Sequence, residues 1–428
     1  MKSCRIAILG SGTVGSGVLE LLAGTREECE RRAGRSLEVV RLVVAEPARA
    51  RAIPDGLAPE VSGDTLEACR DPRIDLVVEL VGGIDAPREW IRTALEAGKD
   101  VVTANKAVLA AHGEELFAVA HERGRRLLFE ASVAGAIPIL QVLREGLPAG
   151  PIDRLTGILN STSNRIIGRV EEVMDLAEAV AEAQRQGFAE RDPSLDLSGA
   201  DAAHKLALLA RVITAQAVPF DAIRTEGIER IEPIDLAFGA RHGWVLKPLA
   251  MLARAPAGVA LGVYPAWVAG DSELAAVRDE YNAVLLEARP FGTMILQGKG
   301  AGRLPTAGSI IGDILRAARG EGSLPPARGT LTVLDPAREP ARHYLRFIVP
   351  DRAGVLARIA GALGSHQVSI AGVEQPENHP QGRVPVHIIT HRVATPELDR
   401  ALDELAGSDV VSSPPLRIRL EGRGEEEA

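Results

Sequence analysis

Cysteine is scarce in this chain and stops early: Cys4, Cys29 and Cys69 are its 3 cysteines, and none follows them. They are too few for a disulfide framework, and their spacing is not that of a metal site. Such usage fits a reducing cytoplasm, the expected compartment. It also argues against an aldehyde-oxidising mechanism, which needs a thiol nucleophile to form a thioacyl intermediate. Long apolar runs are missing as well, none approaching the roughly 20 residues of a membrane-spanning helix. Met1-Lys2-Ser3-Cys4 leads straight into a strand pattern, not a signal peptide. Nor is there an excess of positive charge. Lys and Arg number 49 against 58 Asp and Glu, for a formal net charge of −9. That balance provides no global basic field, so neither nucleic acid nor membrane is an expected partner. No internal repeat is visible.

The 428 residues, 46% hydrophobic and 25% charged, suit a globular protein of about two to four domains. Arg5–Leu9, Leu37–Ala45, Leu76–Val81 and the segment beginning Asp100-Val101-Val102 read as strands, with helical runs such as Val14–Leu22 and Trp90–Ala97 between them. Alternating strands and helices indicate a parallel, doubly wound α/β sheet, placed at 1–130 and completed by 302–320. Over 131–301 the texture becomes α+β. Helices are expected at Glu171–Gln186 and Asp201–Ile213. A hairpin is expected around Ala255-Pro256-Ala257-Gly258. Gly, Pro and charge mark a linker at 321–341. The order β-α-β-β-α-β then predicts a ferredoxin-like module at 342–421, ahead of an acidic tail, 422–428.

Gly10-Ser11-Gly12-Thr13-Val14-Gly15 fits G-x-G-x-x-G between the first strand and first helix. Gly10 permits the turn, Gly12 lets backbone approach a pyrophosphate, and Gly15 allows close packing. The free N–H groups of the helix start, Thr13 and Val14 among them, favour an anion. Glu46, at the end of the second strand, suits the ribose hydroxyls of NAD and would repel the 2′-phosphate of NADP. Arg49 and Arg51 follow closely and keep the NADP reading open.

Four further blocks carry chemistry: TANK (103–106), FEASVAGAIP (129–138), GFAERDPSLD (187–196) with GADAAHKL (199–206), and GAGRLPTAGS (300–309). Asp201 and Lys205 lie one helical turn apart and share a face. Read alone, they form an ordinary exposed ion pair. Together with the glycine loop, the blocks resemble homoserine dehydrogenase over about residues 4–320. The resemblance implies hydride transfer between a nicotinamide dinucleotide, NAD or NADP, and the aspartate semialdehyde/homoserine pair. It implies Lys205 as general acid, Asp201 orienting it, and Lys106 binding the substrate carboxylate or sharing the proton transfer. Glu190, with Asp196, is implied in substrate binding. Gly10, Gly12, Thr13, Val14, Gly15, Glu46, Thr103, Lys106 and Gly302 are implied at the cofactor. Glu130, Val133, Gly135 and Ile137 are implied to ligate a monovalent cation, Na+. His204 is expected to be structural, and Asp192 to be a solvated loop acid.

The middle domain is then the substrate-binding and dimerisation domain of a homodimer or homotetramer. The family commonly has Asn-Gly-Thr where this chain has Asn160-Ser161-Thr162. Serine adopts positive φ less readily than glycine, so this turn is expected to differ. Asp351-Arg352-Ala353-Gly354-Val355-Leu356-Ala357 at the start of the last module resembles an ACT domain, with alanine where a proline often precedes the glycine. It implies amino-acid control of the pathway to threonine, methionine and isoleucine, with threonine the candidate effector. Two other readings stay open: a different Rossmann oxidoreductase acting on a small carbonyl compound, and a non-enzymatic amino-acid or NAD sensor.

Overall fold

The computed structural model describes residues 3–422 except 50–51, 148–149, 173, 323, 377–381, 407, 409 and 412. The first part of the chain runs β1 (Cys4–Leu9), α1 (Thr13–Gly24), α2 (Arg26–Ala33), β2 (Leu37–Val43), β3 (Glu60–Ser62), α3 (Thr65–Arg70), β4 (Leu76–Glu79), α4 (Asp85–Glu96), β5 (Asp100–Thr103), α5 (Lys106–Glu122) and β6 (Leu127–Leu128). The strands pair in parallel in the order β3-β2-β1-β4-β5-β6. Ile6, Ala7, Ile8 and Leu9 of β1 are all buried, because helices cover both faces of such a sheet. The order reverses between β1 and β4. Ligands bind at such a point, beyond the carboxyl ends of the strands.

The middle region comprises α6 (Ile139–Gln141), β7 (Ile152–Ile158), α7 (Ser161–Glu171), α8 (Leu176–Arg185), α9 (Ser194–Leu197), α10 (Ala200–Thr214), β8 (Arg224–Thr225), α11 (Pro233–Arg241), β9 (Trp244–Ala255), β10 (Gly258–Ala269), β11 (Tyr281–Ala288) and β12 (Gly292–Lys299). The expected hairpin is present and longer than its sequence pattern suggests, β9 and β10 pairing from Ala255↔Gly258 to Trp244↔Ala269. The helix expected over Glu171–Gln186 is instead the end of α7 and the whole of α8. Asp175 starts the second helix by accepting a hydrogen bond from Glu178 N at 2.7 Å, and an N-cap of this kind is a strong start signal. Val173, counted on that expected apolar face, lies outside the described residues.

The chain then returns to the first sheet through α12 (Arg303–Arg319). A Cβ on Gly17 would stand 2.8 Å from Arg303 O, so only glycine lets α1 and α12 pack this closely.

β13 (Val333–Leu334), β14 (Arg342–Pro350), α13 (Val355–Ser365), β15 (Ile370–Glu374), β16 (Arg383–Thr390), α14 (Thr395–Ala406) and β17 (Leu416–Leu420) complete the chain. The last module has strand order β17-β14-β16-β15, the ferredoxin-like arrangement. Two features depart from a module on a free linker. β13, inside the segment read as a linker, pairs with β10. β17 also pairs in parallel with β10, Ala266 opposite Arg419 and Trp267 opposite Leu420. The middle and last sheets are therefore one sheet of 11 strands among the described residues. Residues 423–428 of the acidic tail lie outside the described residues. No helix among the described residues is long and apolar enough to cross a membrane.

Candidate active site

The glycines of the first loop have three separate reasons to be glycine. Gly10 has φ +98°, and a Cβ there would stand 3.0 Å from Leu80 O. A Cβ on Gly15 would meet Gly10 O at 2.2 Å. Gly12 has nothing within 4 Å of that position, so its backbone is open to an approaching group. Thr13 and Val14 open α1, whose first turn carries no acid and no side-chain cap, leaving its N–H groups and dipole for an anion. Glu46 is exposed just past β2, with Arg49 N donating to its carbonyl at 3.2 Å. Arg51 lies outside the described residues.

Beside this loop is an acid to which sequence reading assigned no role. Glu79 is fully buried at the end of β4. Its Oε1 accepts from the N–H groups of Val81 and Gly82 at 2.8 and 3.1 Å, and its Oε2 from Thr103 Oγ1 at 2.6 Å. The Thr103 hydroxyl, expected at the cofactor, thus holds the carboxyl edge of the sheet together, and it also accepts from Asn105 N at 3.0 Å. An acid inside the apolar run Leu76–Val81 was the available signal, since β4 is buried on both faces.

Lys106 is the first residue of α5, placed by Asn105, whose side chain accepts from Val108 N at 3.2 Å. Asp201 is in the first turn of α10, after Gly199 at φ +82°. The two elements meet where the first sheet faces the middle domain. Asp201 Oδ1 lies 2.9 Å from Lys106 Nζ, and its Oδ2 lies 2.6 Å from Lys205 Nζ. Lys205 also donates to Leu159 O at 2.7 Å. Burial alone would raise the Asp201 carboxyl, but Lys205 and Lys106 hold it well below the usual carboxylate range. Burial likewise opposes the Lys106 charge, and Asp201 more than compensates, keeping this ammonium protonated above its ordinary value.

Asp196, from α9, joins the cluster through Asn160, which also reaches Asp201. Burial raises the Asp196 carboxyl. Glu190 is exposed on the rim and adds to the field at Lys106. Asp192 is exposed and caps its own loop, accepting from Ser194 N at 3.1 Å. His204 stacks on Phe220 with centroids 4.6 Å apart, and burial lowers its basicity. Ser161 is the first residue of α7 and is not among the positive-φ positions, so serine is unstrained at this helical start.

Glu130 is buried, its two oxygens accepting from Leu140 N and Gln141 N at 2.7 and 3.0 Å, while its own N–H donates to Asp313 Oδ2 at 2.7 Å. Burial and the neighbouring Asp313 push its carboxyl up to about 7. Ala134 and Gly135 both have positive φ, 54° and 64°, which folds the segment 133–137 back on itself. The Gly135 carbonyl accepts from Ser309 Oγ at 2.7 Å and the Ile137 carbonyl from Ile139 N at 2.8 Å. Each carbonyl retains a second lone pair. Gly302, at φ +125°, is the N-cap of α12. Among the described residues no group of three or more His, Cys, Asp or Glu side chains could hold a metal. A cation here would rely on backbone carbonyls.

Comparison with known proteins identifies the family of this chain. The family model for the homoserine dehydrogenase NAD-binding domain matches residues 10–130, that for homoserine dehydrogenase matches 138–315, and that for the ACT domain matches 343–407. The homoserine dehydrogenase of Pseudomonas aeruginosa is 38% identical over 98% of this chain and 99% of its own length. That of Corynebacterium glutamicum is 36% identical over 97% and 95%. The crystal structure of a homoserine dehydrogenase from Thiobacillus denitrificans superposes with TM-score 0.91 at 35% identity, covering 98% of each chain. A hyperthermophilic archaeal homoserine dehydrogenase in complex with NADPH covers 76% of this chain and 100% of its own, with TM-score 0.63 and 25% identity. The chain belongs to the homoserine dehydrogenase family, NAD(P)-dependent oxidoreductases, and carries a C-terminal ACT domain.

Proposed function

We propose that this chain interconverts L-aspartate 4-semialdehyde and L-homoserine through Lys205, Asp201 and Lys106. The observation that carries the reading is one buried carboxylate, Asp201, held between two ammonium groups at the carboxyl edge of a dinucleotide-binding sheet. The nicotinamide, when bound, supplies or accepts the hydride. Lys205 donates a proton to the carbonyl oxygen, and its charge stabilises the developing alkoxide. Asp201 fixes the direction of that ammonium. Lys106, 38% exposed against 13% for Lys205, faces outward to hold the substrate carboxylate or share the proton. Glu190 on the rim takes the substrate ammonium. Replacing Lys205 with Met abolishes turnover and leaves nucleotide binding intact. Near-normal activity in that variant refutes the assignment.

Gly10, Gly12, Thr13, Val14, Gly15 and Gly302 hold the dinucleotide, with Glu46 favouring NAD. The NADPH bound to the archaeal relative points the other way, and affinities for the two dinucleotides decide. Glu130 with the carbonyls of Val133, Gly135 and Ile137 would hold Na+. An all-oxygen donor set suits a hard monovalent cation, and Glu130, once ionised, would supply the balancing charge. Its role is structural. Threonine acts through the ACT domain, which titration of activity in the full chain tests. The assembly is a homodimer or homotetramer in the cytoplasm, checked by light scattering.

A further inference from the structure

We propose that Asn160 is a positioning residue, whose amide ties Asp196 and Asp201 into one frame and so aims the Lys205 ammonium. The inference rests on the assignment of Asp201 and Lys205 to the chemistry.

Asn160 is 4% exposed, at the end of β7. Its Oδ1 accepts from Ser163 N at 2.8 Å and caps α7. Its Nδ2 donates to Asp196 Oδ1 at 2.7 Å and to Asp201 Oδ2 at 2.8 Å. Both N–H groups and the oxygen are therefore used. The partners also fix which way the amide faces. Turned over, it would set its oxygen against two carboxylate oxygens and its NH2 against an N–H. A neutral double donor is what this place requires, because it joins two acids without adding a third charge.

The residue before it holds the other half of the pair. Leu159 O accepts from Lys205 Nζ at 2.7 Å and from Asn282 Nδ2 at 3.4 Å. An ammonium carries three N–H donors. Asp201 takes one and Leu159 O another, so the third points along the one remaining direction. Leu159 and Asn160 thus fix both ends of the Asp201–Lys205 pair. Asp201 Oδ2, shared between Lys205 and Asn160, cannot rotate away without breaking the Asn160 bond.

Cap and bridge separate by substitution. In Asn160→Asp a carboxylate oxygen still accepts from Ser163 N, but donation to both acids is lost and a third negative charge is added. In Asn160→Ser a shorter oxygen keeps a cap and loses the bridge. The expected result, for homoserine oxidation with NAD and with NADP, is a kcat about a hundredfold lower in both variants. The nucleotide KM stays within about twofold. The melting temperature falls, most in Asn160→Asp, with the protein still folded at the assay temperature. The added charge disfavours ionisation of Asp196 and Asp201, so the acid limb of the Asn160→Asp pH–rate profile moves to higher pH. Unchanged kcat and an unmoved acid limb overturn the proposal. So does a kcat loss fully accounted for by the unfolded fraction. An active Lys205→Met variant overturns it together with the site assignment. An inactive Lys205→Met beside fully active Asn160 variants overturns the positioning role alone.

Discussion

At the scale of single residues, Glu130 makes the sharpest statement about solution behaviour. Its carboxyl, ordinarily near 4.5, sits at about 7. Asp313, raised to about 6, faces it, as do Arg316 and Arg144. An acid with a raised folded-state value binds its proton more tightly when folded. Its contribution to stability is therefore complete below about 4.5 and is lost as pH rises through about 7. A cation on the same oxygens competes with that proton, so binding weakens about tenfold per pH unit below the Glu130 value. Sodium should then raise the melting temperature more at about pH 8 than at about pH 5.5, against tetramethylammonium at equal ionic strength. Equal shifts at the two pH values would sink the site, and Glu130→Gln should flatten the difference. The sequence made some of this site visible and hid the rest for a physical reason. Asp201 and Lys205 share one turn of one helix, so spacing alone pairs them. Lys106 was legible as a lysine at the carboxyl edge of the sheet, and the family resemblance gave it a substrate role. That it shares Asp201 with Lys205 depends on α5 and α10 meeting in space. Asn160 and Asn282 do their work across long sequence separations, and no periodicity marks such contacts.

Among the elements, α11 shows how tertiary packing overrules local preference. It begins with Pro233 and a reciprocal capping box between Glu232 and Asp235, good start signals, yet Gly239 sits in its body. Glycine there costs about 1 kcal/mol relative to alanine in an isolated helix. A Cβ on Gly239 would lie 2.3 Å from Trp267 Cζ3, and Trp267 is 1% exposed, with no room to move aside. Gly239→Ala should therefore destabilise the protein by about 1–3 kcal/mol, the sign opposite to helix propensity. Urea unfolding checks it, and a more stable variant would show that Trp267 repacks. The same contrast explains which elements sequence reading recovered. Four strands of the first sheet, β1, β2, β4 and β5, were legible because each is a largely apolar run followed by a turn. β3 and β6, of three and two residues, are too short to show a pattern and were missed. The end of α7 and all of α8 were merged because their apolar faces follow one another, and only the Asp175 cap breaks the register. The β11–β12 hairpin was not anticipated. β12 is half-buried at alternate residues, Met294, Leu296 and Gly298, but the exposed Ile295 between two apolar neighbours hides that alternation in the sequence.

Across the whole molecule, the continuity of the middle and last sheets changes what the ACT domain is. It is joined edge to edge through β10 and β17, and α11 wedges beneath it. Tyr344 of β14 donates to Asp235 Oδ1 at 2.6 Å and shares its hydroxyl with His387 Nδ1 at 2.8 Å. Arg346 reaches the same Asp235 at 3.1 Å and pairs with Glu232. At the far end of α11, Glu374 of β15 holds Arg241 at 2.9 Å and His242 at 3.3 Å. The helix gripped this way packs on α7, whose first cap is Asn160. Three packed elements thus lead from the ACT sheet to the residue that bridges Asp196 and Asp201. Spatial continuity is not coupling in itself; a variant that loosens the grip without touching the site tests it. Tyr344→Phe keeps the ring and removes the O–H, leaving the fully buried Asp235 with one donor fewer, a loss of about 1–3 kcal/mol in stability. Turnover without effector should match the parent, because Tyr344 lies outside the Lys106–Asp201–Lys205 cluster. If the ACT domain reports to the site through α11, threonine titration of Tyr344→Phe should give a smaller maximal change in rate than in the parent. Superimposable titration curves, in a variant shown by unfolding to have lost the bond energy, would mean that any threonine signal travels instead through the β10–β17 seam.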